Sequence, residues 1–248
     1  DIIILGTSSP DRNYPSDACS VQAAIGAVNA VAFDISAACA GFIFAMNIVE
    51  GFFKAGIYKT ALIIGAETLS KVTDWSDRGT CVLFGDGAGA AVLKAEETGI
   101  IDMMMGADGT KGDVLACTSR TVGNFLTGTK PELGFMTMDG QEVFKFAVRK
   151  VPESVMELLQ RTGTKKEDIK YYVLHQANER IIEAAARRLK EPMEKFPMTI
   201  GQFGNTSTAS IPLLLDDMIR KDMLKKGDKI IMSGFGAGMT WGAVLMEW

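Results

Sequence analysis

The chain has 248 residues, of which 47% are hydrophobic, and a formal net charge of −4. A chain of this length can bury a substantial core, either as one large domain or as two smaller ones. The acidic balance argues against a general nucleic-acid binder, and no apolar run predicts a membrane span or a signal peptide. The four cysteines show neither metal-ligand spacing nor a disulfide framework, so we expect a reduced, cytoplasmic protein.

Strands and helices alternate along the first part of the chain. Residues 1–5 form a short apolar run ended by Gly6, which predicts a strand buried on both faces. Residues 17–25 have helical spacing. The remaining predicted strands are 60–65, 81–84 and 90–93, the last two joined by a glycine-rich turn.

A cysteine stands where the most apolar predicted helix begins. Residues 33–35 are the end of a predicted strand, and residues 40–55 are apolar on nearly every face, which is typical of a buried helix. Cys39 would lie in its first turn, where free N–H groups and the positive dipole end favour a thiolate. The pattern predicts a lowered pKa and a nucleophilic sulfur. The alternative is an inert structural cysteine.

The second part of the chain has a similar order of elements. Residues 107–139 are rich in Gly, Thr and Asp and predict mostly irregular surface. One side of the predicted helix 141–161 carries seven apolar residues: Val143, Phe144, Ala147, Val151, Val155, Leu158 and Leu159. The other predicted elements are strands 100–105, 171–174, 229–232 and 241–248 and helices 178–190 and 213–223.

This order indicates an internal repeat. The first copy consists of strand 1–5, the helix after Cys39 and two later strands. The second copy consists of strand 171–174, the helix after Asn205 and two later strands. We therefore expect two α/β halves, residues 1–98 and 99–248, each a mostly parallel or mixed sheet covered by helices. The second half has a strand and a long helix before its matching strand. The symmetry thus predicts that about 70 residues of β-α structure are missing before Asp1.

Two polar residues of the second half are candidates for the chemistry. His175 is the only histidine and follows an apolar strand, at the end where ligands collect in α/β sheets. A histidine that only ends the strand is the alternative. Asn205 stands at a predicted helix start, where helix capping is the ordinary role. The repeat places Asn205 at the same point as Cys39, so the two helix N-termini are expected to face each other.

Six separated motifs carry a family resemblance. In chain order they are DISAACAGF, LFGDGAGAAVL, EVFKFAVRK, HQANERII, FGNTSTASIP and SGFGAGMTWG. With these motifs the chain resembles the β-ketoacyl-acyl-carrier-protein synthase III family of thiolase-fold condensing enzymes from Asp1 to Trp248. The resemblance implies a layered α-β-α-β-α fold whose first β-α unit is missing here.

The resemblance implies a role for each candidate. Cys39 matches the family nucleophile, which takes an acyl group from acyl-CoA as a thioester. His175 and Asn205 match the donor pair that stabilises the enolate formed by decarboxylation of malonyl-carrier protein. The backbone N–H groups of Cys39 and Ala237 match a second oxyanion site. That turn reads Gly-Ala-Gly here, where the family often has three glycines.

The resemblance also implies binding residues. Tyr14 matches a residue that reaches the partner subunit's pocket across a dimer interface. For the acyl-pocket residues an ordinary core role is the alternative, and for the carrier-docking residues a solvated charged face. The implied sets are Arg78, Gly140, Gln141 and Asn178 for CoA or its pantetheine arm; Tyr14, Leu69, Phe84 and Phe235 for the acyl pocket; and Lys145, Arg149, Arg180, Arg187 and Arg188 for carrier-protein docking.

We therefore expect a homodimeric initiating enzyme of type II fatty acid synthesis that uses acyl-CoA as substrate and no cofactor. It would load an acetyl or short-chain group and condense it with malonyl-acyl-carrier protein, giving a 3-oxoacyl-carrier protein, CO2 and CoA. Two alternatives stay open: a polyketide-starter or branched- or longer-primer synthase of the same fold, and a truncated, non-catalytic homologue that binds CoA or carrier protein.

Overall fold

A computed structural model gives the structure of the chain and describes residues 1–119, 121–132 and 134–248. The strands are β1 (Ile2–Gly6), β2 (Val31–Ile35), β3 (Thr60–Glu67), β4 (Gly87–Lys94), β5 (Ile100–Ala107), β6 (Leu115–Cys117), β7 (Met136–Met138), β8 (Ile169–Leu174), β9 (Lys229–Gly236) and β10 (Thr240–Glu247). The α-helices are α1 (Asp17–Ala24), α2 (Gly41–Lys54), α3 (Gly140–Thr162), α4 (Glu179–Leu189), α5 (Ile200–Phe203) and α6 (Ser210–Arg220). None of the described helices is long and apolar enough to cross a membrane.

Two four-stranded mixed sheets form the frame. The first has the order β2-β1-β3-β4, in which only β4 is antiparallel to its neighbour. The second has the order β5-β10-β9-β8, in which β8 and β9 are parallel and β10 is antiparallel to both of its neighbours. β10 therefore pairs on both sides. β4, its counterpart in the first sheet, pairs among the described residues only with β3.

The helices form three layers around these sheets. The apolar faces of α2 and α6 pack between the sheets in one core that holds Ile4, Met46, Leu214 and Val244. On the outer faces, α1 covers the first sheet, and α3 and α4 cover the second. The result is the α-β-α-β-α layering that was expected. The central layer explains why α2 is apolar on nearly every face, because sheets lie on both sides of it.

The repeat is present, but its register differs from the predicted one. A 3₁₀ turn, Ala38–Ala40, precedes α2, and a second 3₁₀ turn, Ser207–Ala209, precedes α6. Ala38 and Ser207 both have positive φ, +46° and +49°. The residue equivalent to Cys39 is therefore Thr208, three positions after Asn205, so the predicted equivalence of Cys39 and Asn205 is wrong. The boundary expected after residue 98 stays a prediction; the chain passes from one sheet to the other between β4 and β5.

Three other predictions also differ from the structure. Residues 81–84 form turns and a single parallel bridge from Phe84 to Asn205, not a strand. The predicted glycine-rich turn is partly strand, because Gly89 lies in β4. A Cβ at Gly89 would come 2.8 Å from Pro212 Cβ on α6. On α3 the buried aromatic residue is Phe146, and Phe144 is 37% exposed.

Candidate active site

Cys39 lies in the 3₁₀ turn that leads into α2, and only 6% of it is exposed. The end of β9 passes beside this turn. A Cβ at Gly236 would come 2.5 Å from the Cys39 backbone nitrogen, so a residue with a side chain cannot stand there without a shift. Because Gly236 has no side chain, the Cys39 N–H group can lie beside the turn that holds Ala237. The glycine-rich motif SGFGAG contains this turn.

The surroundings of the thiol hold it in the neutral form. The pKa of Cys39 is raised to about 12, mainly by burial; the Ser207 hydroxyl opposes this rise, and the negative charge of Glu67 contributes to it. The predicted lowering of this pKa is therefore wrong, because desolvation of a thiolate in this buried place outweighs the hydrogen bonds that favour it.

His175 stands directly after β8, and only 1% of it is exposed. Its backbone N–H donates to the Ser233 carbonyl at 2.8 Å, and its ring Nδ1 lies 2.6 Å from Ser210 Oγ. The Phe235 ring packs edge-on against the imidazole, with centroids 5.4 Å apart. Burial lowers the pKa of His175 to about 3. The ring is therefore neutral at pH 7 and held on two sides.

Asn205 is fixed through its backbone and its side chain. Its N–H donates to the Leu83 carbonyl at 2.9 Å, and its carbonyl accepts from the Gly85 N–H at 3.0 Å. Its Oδ1 accepts from the Ser207 N–H at 2.9 Å. Because an N–H donor faces the side-chain oxygen, the Asn205 amide nitrogen points elsewhere and keeps its two protons for another acceptor.

The three predicted residues meet in one place. Cys39, His175 and Asn205 all line a cavity of about 130 Å³. Cys39 also lines a second cavity, of about 420 Å³, whose wall includes Leu69 and the β6–β7 hairpin. Cys39 therefore lies between a small chamber, which His175 and Asn205 also line, and a larger chamber whose lining is mostly apolar.

Besides Leu69, five other predicted residues line these chambers. Gly140 and Asn178 line the small cavity, where the N-termini of α3 and α4 meet. Phe84 lines both cavities, and Ala237 lines the larger one. Phe235 was expected in the acyl pocket. The structure places it in the small cavity against His175, so its role in the acyl pocket stays a prediction.

Three predicted residues lie outside both cavities. The side chains of Arg78 and Gln141 are exposed. Tyr14 is 85% exposed, so its ring contributes little to the core of its own chain. For these three residues the implied roles stay predictions.

The predicted docking residues share two neighbouring helices. Lys145 and Arg149 lie on α3, and Arg180, Arg187 and Arg188 lie on α4; all five are exposed. Lys145 pairs with Glu142 at 2.7 Å, and Arg187 pairs with Glu183 at 3.6 Å. Within the described part of the chain, Arg180 forms no ion pair.

Sequence reasoning missed a buried carboxylate beside the site. Glu67 ends β3 and is 4% exposed. Its oxygens accept hydrogen bonds from three consecutive residues after β1 and from Ser207 and Thr208 in the second half. An acidic residue at the end of an otherwise apolar strand was the available signal. Ser210 was missed as well, although it lies in the FGNTSTASIP motif.

Comparisons with known proteins agree with this geometry. A model of the 3-oxoacyl-[acyl-carrier-protein (ACP)] synthase III family matches residues 33–109, and the model of its C terminal matches residues 159–248. A β-ketoacyl-[acyl-carrier-protein] synthase III from Clostridium novyi (strain NT) is 53% identical over 250 residues, which cover 100% of this chain and 77% of the relative.

Solved structures give the same result. The 3-oxoacyl-[acyl-carrier-protein] synthase III from Aquifex aeolicus VF5 matches with a TM-score of 0.91 and 45% identity, covering 100% of this chain and 77% of the other. The priming β-ketosynthase from the R1128 polyketide biosynthetic pathway matches with a TM-score of 0.88 and 33% identity, covering 100% and 75%.

Fold and site together define a condensing enzyme of the thiolase fold, which is an acyltransferase. The chain belongs to the β-ketoacyl-acyl-carrier-protein synthase III family, the initiating condensing enzymes of fatty acid synthesis. The family, fold class and enzyme class expected from the sequence are thus confirmed.

Proposed function

We propose that Cys39, His175 and Asn205 carry out an acyl transfer from acyl-CoA followed by a decarboxylative condensation with malonyl-acyl-carrier protein. The observation that carries this proposal is that the three side chains line one small buried cavity. The products are a 3-oxoacyl-carrier protein, CO2 and CoA. The residues alone perform both steps, with acyl-CoA as a substrate and no cofactor.

In the first step, the Cys39 sulfur attacks the acyl carbon of acyl-CoA. A carbon–sulfur bond to Cys39 forms, the bond to the CoA sulfur breaks, and the thiol proton leaves with CoA as its free thiol. The raised pKa of Cys39 supports this coupling, because a thiol that stays protonated must lose its proton during the transfer. The N–H groups of Cys39 and Ala237 serve as donors to the carbonyl oxygen.

In the second step, the bond between the malonyl carboxylate and its neighbouring carbon breaks, and CO2 leaves. The electron pair forms an enolate, whose oxygen accepts hydrogen bonds from His175 and Asn205. Both donors are neutral and fixed before the reaction, which is the arrangement that stabilises developing charge. The enolate carbon then forms a bond to the acyl carbon on Cys39, the bond from that carbon to the Cys39 sulfur breaks, and the departing thiolate takes a proton from water.

The primer occupies the larger cavity. Its volume of about 420 Å³ and its apolar lining, which includes Leu69 and Phe84, suit an alkyl chain. A water molecule takes roughly 30 Å³ in the liquid, so this space admits more than an acetyl group. We propose acetyl and other short acyl groups as primers. The same space supports a second candidate, a synthase that primes with branched or longer groups, as a polyketide-starter enzyme would.

The thioester arm of either substrate enters between the N-termini of α3 and α4. Gly140 has no side chain and leaves space there. Asn178 Oδ1 caps α4 by accepting from the Arg180 N–H at 2.9 Å, so the side-chain N–H groups of Asn178 face away from the helix. Arg78 and Gln141 are proposed contacts of CoA on the exposed surface. The basic residues of α3 and α4 lie around the same entrance and suit an acidic carrier protein.

We also propose a homodimer in the cytoplasm. Tyr14, Ile25, Val28 and Val31 are exposed apolar side chains, and Val31 lies in β2, the edge strand of the first sheet among the described residues. A second copy of this chain would cover them and would receive Tyr14 at its larger cavity. All four cysteines are free thiols, which fits a reducing compartment.

Mass spectrometry of the intact chain tests the proposal. After incubation with acetyl-CoA and longer acyl-CoAs, the chain gains the acyl mass of each accepted primer. Addition of malonyl-acyl-carrier protein then removes that mass and yields a 3-oxoacyl-carrier protein. A chain that binds CoA but gains no acyl mass from any primer is the non-catalytic homologue, and the proposal is wrong. A profile that favours branched or longer primers over acetyl selects the second candidate.

A further inference from the structure

We propose that Ser210 is a positioning residue that fixes His175 in the tautomer with its proton on Nε2. The consequence for catalysis rests on the proposed function, because only that tautomer presents a donor to the enolate oxygen. The placement itself rests on contacts inside the second half of the molecule.

Ser210 and His175 form a closed contact away from solvent. Ser210 is the first residue of α6 and is 2% exposed; His175 is 1% exposed. Ser210 Oγ lies 2.6 Å from His175 Nδ1. Among the described residues, Nδ1 is the only ring nitrogen with a hydrogen-bond partner. Because His175 lines the catalytic cavity, Nε2 is the nitrogen left for a substrate.

The hydroxyl has one proton, and its surroundings direct that proton to the ring. The Gln176 N–H group points at Ser210 Oγ from 3.4 Å and can only donate. Ser210 Oγ accepts from Gln176, and His175 Nδ1 is the only acceptor within reach of its proton among the described residues, so the hydroxyl donates to Nδ1. A neutral imidazole that accepts at Nδ1 carries its proton at Nε2. Burial keeps the ring neutral, which excludes a ring protonated on both nitrogens.

The other tautomer would disable the pair of donors. If Nδ1 donated to Ser210, Nε2 would present a lone pair to the enolate oxygen, and two acceptors would face each other. Asn205 would then be the only donor left of the proposed pair. Loss of one such donor costs on the order of a hundredfold to a thousandfold in rate. A hydroxyl that selects the tautomer thus acts on catalysis without touching the substrate.

The single histidine makes this proposal directly measurable. In the full chain labelled with ¹⁵N-histidine, the nitrogen spectrum contains one imidazole, His175, and shows which ring nitrogen carries the proton. At pH 7 we expect a protonated Nε2 and an unprotonated, hydrogen-bonded Nδ1. A wild-type spectrum with the proton on Nδ1 overturns the proposal, whatever the activity of the chain.

A deletion of the hydroxyl tests its effect on the reaction. Ser210→Ala should lower condensation with malonyl-carrier protein about tenfold, the rate equivalent of one neutral hydrogen bond, and leave self-acylation of Cys39 nearly unchanged. Its spectrum should show a reduced share of the Nε2 tautomer. Ser154→Ala is the matched control, because Ser154 is equally buried, on α3, with its hydroxyl bonded to the Lys150 carbonyl. It should change neither the spectrum nor the rate.

Ser210→Thr keeps the hydroxyl and should restore both the tautomer and most of the rate. An Ala variant that lowers acylation and condensation equally, or that changes neither, overturns the proposal. If either variant fails to fold, the wild-type spectrum still decides the tautomer. If the wild type lacks condensation altogether, the proposed function fails instead, and the spectrum separates that failure from this one.

Discussion

The thiol of Cys39 and the ring of His175 are both uncharged at neutral pH for the same physical reason. Each lies in a place where a charge would lose its hydration, so burial raises the pKa of the thiol and lowers that of the imidazole. Nearby, six hydroxyl and N–H donors hold the carboxyl group of Glu67 in place. The two reacting side chains therefore start neutral.

Cys39→Ala should abolish acyl transfer and leave folding intact. Alanine keeps the backbone donor and nearly the same bulk, so no large loss of stability is expected. The measurement is the acyl mass gained from acyl-CoA, together with a thermal unfolding curve. Cys81→Ala, a cysteine outside both cavities, is the control and should gain the mass normally. Acyl transfer at a near wild-type rate by the Cys39 variant would remove this residue from the mechanism.

His175→Ala and Asn205→Ala should stop decarboxylation of malonyl-carrier protein but still allow self-acylation of Cys39. The two side chains serve the enolate, whereas acyl transfer relies on backbone donors. Each change should lower the condensation rate by roughly a hundredfold to a thousandfold. Single-turnover acylation and CO2 release are measured separately for each variant. If neither variant acquires an acyl group, the proposed division between the two steps is incorrect.

His175 also predicts a pH dependence of stability. Its pKa is about 3 in the folded chain and near 6.5 when unfolded, so the unfolded chain binds more protons between these values. The stabilisation is complete above pH 6.5 and is lost as the pH falls toward 3, by about 1.4 kcal/mol per pH unit from this group. Urea unfolding at several pH values measures it. His175→Gln should lack this component, and an unchanged slope would contradict the buried neutral ring.

At the scale of elements, the two 3₁₀ turns meet at the centre of the molecule through glycine contacts. A Cβ at Gly6 would come 2.7 Å from Thr208 Cγ2 in the second half. A Cβ at Gly234 would come 3.3 Å from the Cys39 carbonyl oxygen. Thr208 Oγ1 bridges the turns by donating to the Ala38 carbonyl at 2.7 Å. Gly6 on β1 and Gly234 on β9 therefore each let the 3₁₀ turn of the opposite half approach the strand.

Gly65→Ala should destabilise the chain, because the added Cβ would overlap the backbone carbonyl of Thr208. A backbone group cannot move aside as a flexible side chain can, so we expect a loss of about 1–3 kcal/mol. Gly51→Ala is the matched control. It lies within α2 with open space around its Cα, and alanine there should stabilise the helix by up to about 1 kcal/mol. Denaturant unfolding compares the two; equal effects would contradict the close approach.

The alternation of strands and helices could be predicted because it depends on local apolar periods, as in β1 and α2. The features that were predicted wrongly depend on contacts between distant segments. Phe84 lies in a short apolar run that is typical of a strand, but its backbone forms a single bridge to Asn205 in the other half. Phe144 and Phe146 both fit an apolar pattern, and only the packing of α3 against β10 decides which is buried.

At the scale of the whole molecule, the site exists because the halves face each other. Cys39 comes from the first half, and His175 and Asn205 come from the second. The internal repeat predicted that Cys39 and Asn205 face each other, although in the wrong register, and only the family motifs added His175 to the same site. The raised pKa of Cys39 could not be read from the sequence, because the desolvation that causes it comes from residues of both halves.

The N-terminal parts of α3 and α4 line the small cavity, and the exposed sides of these helices carry basic residues although the chain as a whole has a net charge of −4. Glu183 pairs with Arg187 and neutralises part of this surface. A protein partner with acidic residues would be attracted to the remaining positive charge, mainly through its association rate. Free acyl-CoA reaches the same cavity but presents a much smaller surface to these helices.

Reversal of Arg180 and Arg187 to Glu should therefore raise KM for malonyl-carrier protein, roughly tenfold or more at low ionic strength, and change acylation by free acyl-CoA little. The two residues are two helical turns apart on α4 and point the same way. Because salt screens exposed charges, the effect should shrink at high ionic strength. The double reversal of Arg220 and Lys221, at the end of α6 opposite Ser210, makes the same charge change and should leave both KM values unchanged. Equal effects on both substrates, or no dependence on salt, would mean that this face is only solvated surface.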